Sequence, residues 1–497
     1  MTDDVFETLS PSARGGEPEL LAMAPGEDLA SAVDAVRAWV VANVPEPWRV
    51  AAAEGGADAI RRVRPFADYR SWYPTFARSG LAVATWPVAY GGLDLAAAVA
   101  RAVEAELAPF NLGRLNPLGL NLAAPALFAH GTEEQRLRFL PPMVRNEEIW
   151  CQLFSEPGAG SDLASLACRA ERDLEADADA EAGADPDAGA DWLLTGQKVW
   201  STWAHEADFG VILARTDLDA PKRQGITYFL IDLHQPGVEV RPLRHITGEV
   251  DFNETFLDRA RVPDRQRVGA VGDGWKVANA TLSGERQMVS GAGSGGVDRI
   301  GGAGSSRLVA LLAAPVGNGS SEPRGSDPVP SRTNDGPALE SAGPSSREER
   351  TADRAVARDA VVRLVSEERI RGWTNQRVRA GLRAGRAPGP ESSIGKVHQG
   401  SLNQRIQSLA TDLLGPGAVA WEPAGAGGPP DDEEWVYAAD LPREVRGMLR
   451  SRANTIEGGT TEVNKNILGE RVLGLPREPD PWQGQSWRDV PRSSSPR

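Results

Sequence analysis

Apolar residues recur at helical spacing near the start of the chain. Leu29, Val33, Val36 and Val40 fall at i, i+4, i+7 and i+11, one stripe of a helix that Pro45 stops. A second helix is predicted over Leu95–Leu107, ahead of Ala-Pro-Phe, and a third over Glu133–Phe139, ending at Pro141-Pro142. Between the first two, Trp86-Pro87-Val88-Ala89-Tyr90-Gly91-Gly92 reads as a loop, because proline and paired glycine punctuate it. From about residue 149 the period changes. Asp191–Thr195, Phe209–Arg215, Ile226–Asp232, Val238–Pro242 and Glu249–Leu257 are short β-rich runs, with Gly237 and Gly248 at two of the breaks. Helical patterning returns from Gly274, over Trp275–Val289, Val356–Gln376, Gly395–Leu414 and Thr461–Leu468. The order is α, then β, then α. It predicts an α+β protein with domains at 1–148, 149–268 and 269–480 and a tail at 481–497.

Three stretches interrupt the pattern. Residues 172–190 are acidic and alanine-rich with no apolar face, and read as a solvated hairpin insertion. Residues 314–350 are rich in Gly, Ser and Pro and read as disordered; Glu422–Glu434 is a shorter insertion of similar character. None has the composition of a catalytic loop.

Composition narrows the function. At 41% hydrophobic and 25% charged residues over 497 positions, the chain has the make-up of an ordinary soluble enzyme of two or three domains. A net charge of −15 argues against nucleic-acid binding over the whole surface, while leaving room for a local basic pocket. No apolar run is long enough to span a bilayer, and the N-terminus lacks a basic-then-apolar leader, so a cytoplasmic protein is expected. Cys151 and Cys168 are not spaced as C-x-x-C, and His130, His205, His234, His245 and His398 are scattered. No metal site is expected from that distribution.

Candidate chemistry starts at Trp150–Leu163, WCQLFSEPGAGSDL. Its glycines let backbone N–H groups approach a ligand, and Ser155 and Ser161 add hydroxyls, so the residues themselves suggest a polar ligand cradle. Three further stretches follow in order. Thr195–Thr202 reads TGQKVWST. Phe252-Asn253-Glu254 leads through Arg261-Val262-Pro263 and Gly274-Trp275 to Glu285-Arg286. Asn454–Glu462 (NTIEGGTTE) and Gly469–Pro476 (GERVLGLP) close the series.

Together these four stretches resemble the signatures of the acyl-CoA dehydrogenase family, over about 80–310 and 350–476. The resemblance implies a helical N-terminal domain, a central β-barrel-like domain and a C-terminal four-helix bundle, with FAD held at their junction and at a subunit interface. Leu153, Phe154 and Ser155 would lie along the flavin pyrimidine, and Gly160 and Ser161 beside flavin or pantetheine. Trp200 would stack near the flavin ring, and Thr202 would offer its hydroxyl. Arg358 would reach the FAD pyrophosphate of a neighbouring subunit, with Arg354 and Arg363 in reserve. Asp412 and Gly415, in a DLLGPG turn, would meet the adenosine-diphosphate half, and Thr460 and Glu462 the same cofactor.

The reaction so implied needs a desolvated carboxylate to take an α-proton and donors to stabilise the enolate oxygen. Many family members carry that glutamate just before Gly-Thr in the last signature, but here the position is Gly458. Another branch places it on the first long helix of the C-terminal domain, immediately before an arginine. Glu285, followed by Arg286, matches that branch and is assigned as base, against an ordinary helix ion pair and against Glu457. Gly458 would still polarise the thioester carbonyl through its N–H, and Arg286 would sit near the pantetheine or phosphate of CoA. The expected substrate is an acyl-CoA or a carrier-protein thioester. The expected acceptor is an electron-transfer flavoprotein, and the expected assembly a homodimer or homotetramer. Two rival readings are a subunit that needs a related partner chain and a flavin oxidase or monooxygenase on the same fold.

Overall fold

The structure is a computed structural model and describes residues 20–21, 28–173, 190–289, 304–313, 347–384, 389–419 and 441–491. The expected insertions at 172–190, 314–350 and 422–434 fall largely or wholly outside the described residues. Those within Met1–His245, Val250–Val297 and Arg477–Arg497 form one compact unit. Those within Ile246–Glu249 and Asp298–Pro476 form a second.

The first unit opens with α1 (Leu29–Asn43), α2 (Glu46–Val63) and α3 (Phe66–Arg78). Asp28 caps α1, its carboxylate accepting from the N–H groups of Ala30 and Ser31 at 2.8 and 3.1 Å. The buried face of α1 is Ala32, Val36, Trp39 and Val40, while Leu29 at the helix start lies exposed, off the predicted stripe. Trp39, Trp48, Tyr69, Trp72, Tyr73 and Phe76 join the three helices in one aromatic cluster. Then come α4 (Ala97–Leu107), α5 (Ala124–His130) and α6 (Glu133–Val144). The last helix runs past Pro141-Pro142, where the sequence predicts its end. Burial of Met143 and Val144 and a bond from the Arg145 N–H to the Pro141 carbonyl hold the extra turn.

A mixed sheet follows: β1 (Trp150–Leu153), β2 (Arg169–Arg172), β3 (Trp192–Thr202), β4 (Phe209–Arg215), β5 (Ile226–Asp232), β6 (Val238–Leu243), β7 (Phe252–Val262) and β8 (Arg267–Val268). Its order is β6-β7-β3-β2-β4-β5-β8, with β1 pairing β4. The unbroken apolar runs of β4 and β5 have a physical cause. Val211, Leu213, Tyr228 and Leu230 face a core shared with the N-terminal helices, and Ile212, Ala214, Phe229 and Ile231 face a second core across the sheet. β3 and β7 are longer than the sequence suggests, each 11 residues.

The helix α7 (Gly274–Val289) packs on α5 and on the π-turn Gly119–Ala123. It therefore belongs with the first unit, although the pattern of the sequence groups it with the later helices from residue 269. Residues 477–491 likewise belong to the first unit. The second unit contains α8 (Ser305–Ala313), α9 (Arg347–Arg383), α10 (Ser392–Leu414), α11 (Arg443–Ser451) and α12 (Thr461–Ile467). Among the described residues α10 is its axis, packing against each of the other four. Leu308, Val361, Leu364, Leu402, Ile406 and Ala410 form the core. No described helix is long and apolar enough to cross a membrane.

Candidate active site

The signature after β1 is folded tightly onto β3. The Val199 N–H donates to the Ser155 carbonyl at 2.9 Å, so the loop is bonded to the strand that carries Trp200 and Thr202. Glu156 and Ala159 exchange backbone hydrogen bonds across Pro157-Gly158, closing a narrow turn. Beneath the turn lies a buried ion pair. Lys198, fully buried, donates from Nζ to Glu156 Oε1 at 2.7 Å and to the Phe154 carbonyl at 3.2 Å. The same carboxylate accepts from the N–H groups of Ala167 at 2.7 Å and Cys168 at 3.0 Å. A buried carboxylate so furnished is satisfied on both oxygens.

The end of β3 departs from ordinary strand geometry. Trp200 stands at a bulge in the β3–β7 pairing with φ of 62°, and Trp203 has φ of 52°. Left-handed backbone at two indole-bearing residues costs energy, and neighbours must over-determine it. Asn253, fully buried, does so: its Nδ2 donates to the Ser201 carbonyl at 2.9 Å while its Oδ1 contacts His205 Nδ1 at 2.9 Å. The Trp203 N–H donates to the Asp251 carbonyl at 2.8 Å. The outcome is an indole at Trp200 that is 59% exposed, edge-on to Phe252. Thr202 beside it is half-buried.

Of the expected loop contacts, Ser155 is half-buried, and Gly160 and Ser161 are exposed. A side chain added at Gly160 would meet no atom of the described residues within 4 Å, so those residues do not require glycine there. The open space is what a close-lying ligand would use. Leu153 and Phe154 differ from expectation. Leu153 is fully buried in the second core, and Phe154 is buried in the first, edge-on to Tyr228. Alternation along the strand puts these two side chains into packing, which leaves their backbone as the part facing the loop. Cys151 and Cys168 are buried, and burial pushes both thiols above their ordinary range.

Glu285 and Arg286 lie on α7, but their side chains are outside the described residues. The preceding residue explains how that helix is seated. A side chain at Gly284 would fall 1.9 Å from the Asn121 carbonyl, so glycine lets α7 touch the π-turn backbone. An open apolar hollow bounded by Trp86, Tyr90, Phe128 and Arg136 lies elsewhere in this unit and includes none of the expected site residues.

In the second unit Gly458 and Gly459 have φ of 64° and 83°, a left-handed pair just before α12. Thr460 caps that helix, its Oγ1 accepting from the Val463 N–H at 3.2 Å, and Glu462 is exposed in the first turn. Glu457, the alternative base, is tied into a structural network. Its carboxylate accepts from Arg450 at 2.9 Å and from Asn454 Nδ2 at 2.6 Å, within a buried network through Asn403 and Gln407. Arg358 is exposed on α9 with no bond to the described residues, whereas Arg354 donates to the Leu312 carbonyl and Arg363 pairs with Asp359. Asp412 and Gly415 are exposed at the end of α10, where Gly415 has φ of 58°.

Sequence reasoning gave no role to Lys198, Glu156 or Asn253. A lysine at an inward position of a strand, forty-two residues from a glutamate in a turn, was the available signal.

Comparison with known proteins supplies the family. Residues 27–147, 151–259 and 342–473 match the N-terminal, middle and C-terminal domain models of acyl-CoA dehydrogenases. Acyl-CoA dehydrogenase IpdE1 of Mycobacterium tuberculosis is 34% identical over 453 residues, 89% of this chain and 97% of that one. Acyl-CoA dehydrogenase FadE34 of the same organism is 37% identical over 402 residues, 81% of this chain; the chain spans 45% of that longer protein. Among solved structures, the ChsE4-ChsE5 complex of Mycobacterium tuberculosis superimposes with a TM-score of 0.55 at 23% identity, covering 92% of this chain and 100% of that one. The Tcur3481-Tcur3483 steroid ACAD gives 0.57 at 21%, covering 92% and 99%. Such low identities speak to the fold alone. On the domain matches and the full-length likeness to IpdE1, the chain belongs to the acyl-CoA dehydrogenase family of flavoprotein oxidoreductases.

Proposed function

We propose that this chain is an FAD-dependent dehydrogenase of acyl thioesters, with Glu285 as the base. The observation that carries the reading is the Trp200 ledge: an indole 59% exposed on a left-handed backbone, beside a loop whose glycine leaves open space. Holding a large apolar ring in solvent on a strained residue is costly, and a flat ligand over the ring offsets that cost. FAD bound there supplies the acceptor for the β-hydrogen, taken as hydride. Trp200 offers a ring face, Thr202 and Ser155 offer hydroxyls, and Gly160 and Ser161 line the open side. Glu285 takes the α-proton, so that two hydrogens leave and a Cα=Cβ double bond remains. Arg286 is assigned to the phosphate or pantetheine part of the substrate. In the second unit we assign the Gly458 N–H to the thioester carbonyl, and Arg358, Asp412, Gly415, Thr460 and Glu462 to the cofactor. CoA or carrier-protein thioesters are the substrate class, an electron-transfer flavoprotein the acceptor, and a homodimer or homotetramer the assembly.

A second reading, a subunit that needs a related partner chain, is favoured by one finding: two similar solved structures are described under paired names, ChsE4-ChsE5 and Tcur3481-Tcur3483. One experiment separates the two. The chain is expressed alone, its visible spectrum recorded, and anaerobic titrations run with short, medium and long acyl-CoAs and with a steroid-ring thioester, since one similar structure is a steroid ACAD. Bleaching of a bound flavin supports the dehydrogenase. A colourless protein that cannot be reconstituted supports the partner-dependent subunit, and peroxide release on turnover supports an oxidase.

A further inference from the structure

The stretch after Pro476 does not trail into solvent. Residues from Arg471 to Gln485 are exposed, but Trp487 is 6% and Val490 3% exposed. Ser486–Arg488 run antiparallel past Leu218–Pro221. The Trp487 N–H donates to the Ala220 carbonyl at 2.9 Å, the Arg488 N–H to the Leu218 carbonyl at 3.1 Å, and Ser486 Oγ to the same carbonyl at 3.1 Å.

The buried indole covers a buried cation. Arg215, at the end of β4, is 1% exposed, and its guanidinium carbon lies 4.5 Å from the Trp487 ring centroid. Its Nε donates to the Leu166 carbonyl at 3.0 Å, one terminal nitrogen to the Ala164 carbonyl at 2.7 Å and the other to the Lys222 carbonyl at 3.1 Å. The indole Nε1 donates to the Ser165 carbonyl at 3.3 Å. One arginine–tryptophan pair thus engages the carbonyls of three consecutive residues, 164 to 166. Asp162 pins the same turn from its other end, accepting from Ser165 Oγ at 2.5 Å and Lys222 Nζ at 2.8 Å. This turn follows directly on Gly158–Ser161. A guanidinium removed from water needs every donor placed and its face covered, so the turn and the indole stay only together.

We propose that Trp487 is a positioning residue: the C-terminal strap, acting through Arg215, fixes the turn at 162–166 and with it the Gly158–Ser161 loop. The proposal rests on reading that loop as part of the flavin and thioester cradle. Its test uses the full chain with Trp487→Ala, Trp487→Phe and Arg215→Lys. Two quantities are read: hydrogen exchange of the Ser165 and Leu166 amides, with α10 amides as reference, and the affinities for FAD and for the thioester beside kcat. Trp487→Ala is expected to speed exchange at the turn about tenfold or more and to leave α10 within about twofold. It is expected to weaken FAD or thioester binding about fivefold, with kcat at saturation nearly unchanged. Trp487→Phe, which keeps the ring over Arg215, should recover most of both. Arg215→Lys, which keeps the charge but not the planar fork, should reproduce the loss and serves if Trp487→Ala does not fold. Unchanged exchange at the turn overturns the proposal. Faster exchange with unchanged affinities also overturns it, by showing a strap without a role in the cradle. A wild-type chain that holds no flavin and answers no thioester sinks the functional reading instead, and the exchange data alone then decide whether the strap fixes the turn.

Discussion

Replacing Lys198 with methionine should damage this protein more than its modest volume change suggests. The substitution keeps length and apolar bulk but removes the only side-chain cation bonded to Glu156 among the described residues. The carboxylate, 7% exposed, would keep the N–H groups of Ala167 and Cys168, and the Phe154 carbonyl would lose its donor. Leaving one member of a buried pair uncompensated costs about 3–5 kcal/mol, far above a surface ion pair at under about 1 kcal/mol. Adding Glu156→Gln neutralises the stranded charge. The double variant should therefore be at least about 1.5 kcal/mol more stable than the sum of the two single changes. Urea unfolding followed by tryptophan fluorescence gives the global figure. Exchange of the Val199 amide, bonded to the Ser155 carbonyl, gives the local one. At about 1.4 kcal/mol per tenfold, that amide should exchange roughly two to three and a half orders of magnitude faster in Lys198→Met. A loss below about 1 kcal/mol, or strictly additive single changes, would refute the claim that this pair locks the loop to β3.

Four other outcomes follow. Glu285→Gln should lower kcat by about 10²–10⁴ while flavin and thioester still bind. Glu457→Gln should instead cost about 1–3 kcal/mol of stability through its Arg450 and Asn454 partners, with turnover preserved in the folded fraction. Gly284→Ala puts a methyl into the Asn121 carbonyl, so thermal unfolding should show a loss of about 1–3 kcal/mol and kcat should fall as α7 is displaced. Burial raises the Asp264 carboxyl, but hydrogen bonds from Arg267 and Trp192 and the charges of Arg267 and Arg172 outweigh it and hold it below its usual range. Its stabilisation is complete above the unfolded pKa of about 3.9 and is lost as pH falls through the folded value. The stability gap between wild type and Asp264→Asn, present at pH 7 in urea titrations, should accordingly narrow as pH falls below about 3.9.

Much of the fold was legible because burial writes a period into the chain. Ile226–Asp232 and Phe209–Arg215 were placed to the residue, since strands buried on both faces are continuous apolar runs bounded by turns. α2 was not resolved as a separate helix, because Ala and Gly over 51–57 give it little apolar contrast. Periodicity alone ends β3 at Thr195, for a different reason, and only the motif resemblance carries the strand to Thr202. Residues 196–202 alternate poorly, and their extended form depends on pairing with β7, which no local window contains. Among the candidate site residues, the motifs point to Trp200, Ser161 and Gly458, but give no role to the residues that brace them. Asn253 braces Ser201 from fifty-two positions away, a relation that spacing does not encode.

The strap also gives the first unit an unusual timetable. Its sheet and helices come from the first part of the chain, yet the indole over Arg215 lies 322 residues beyond the Ser165 carbonyl it meets. At about 5–20 residues per second of translation, roughly 15–65 s separate the emergence of those two partners. Throughout that interval the Arg215 guanidinium has no indole over it, and the turn at 162–166 lacks one of its ties. A nascent chain stalled between residues 298 and 476 therefore carries a first unit whose turn at 162–166 still lacks its C-terminal tie.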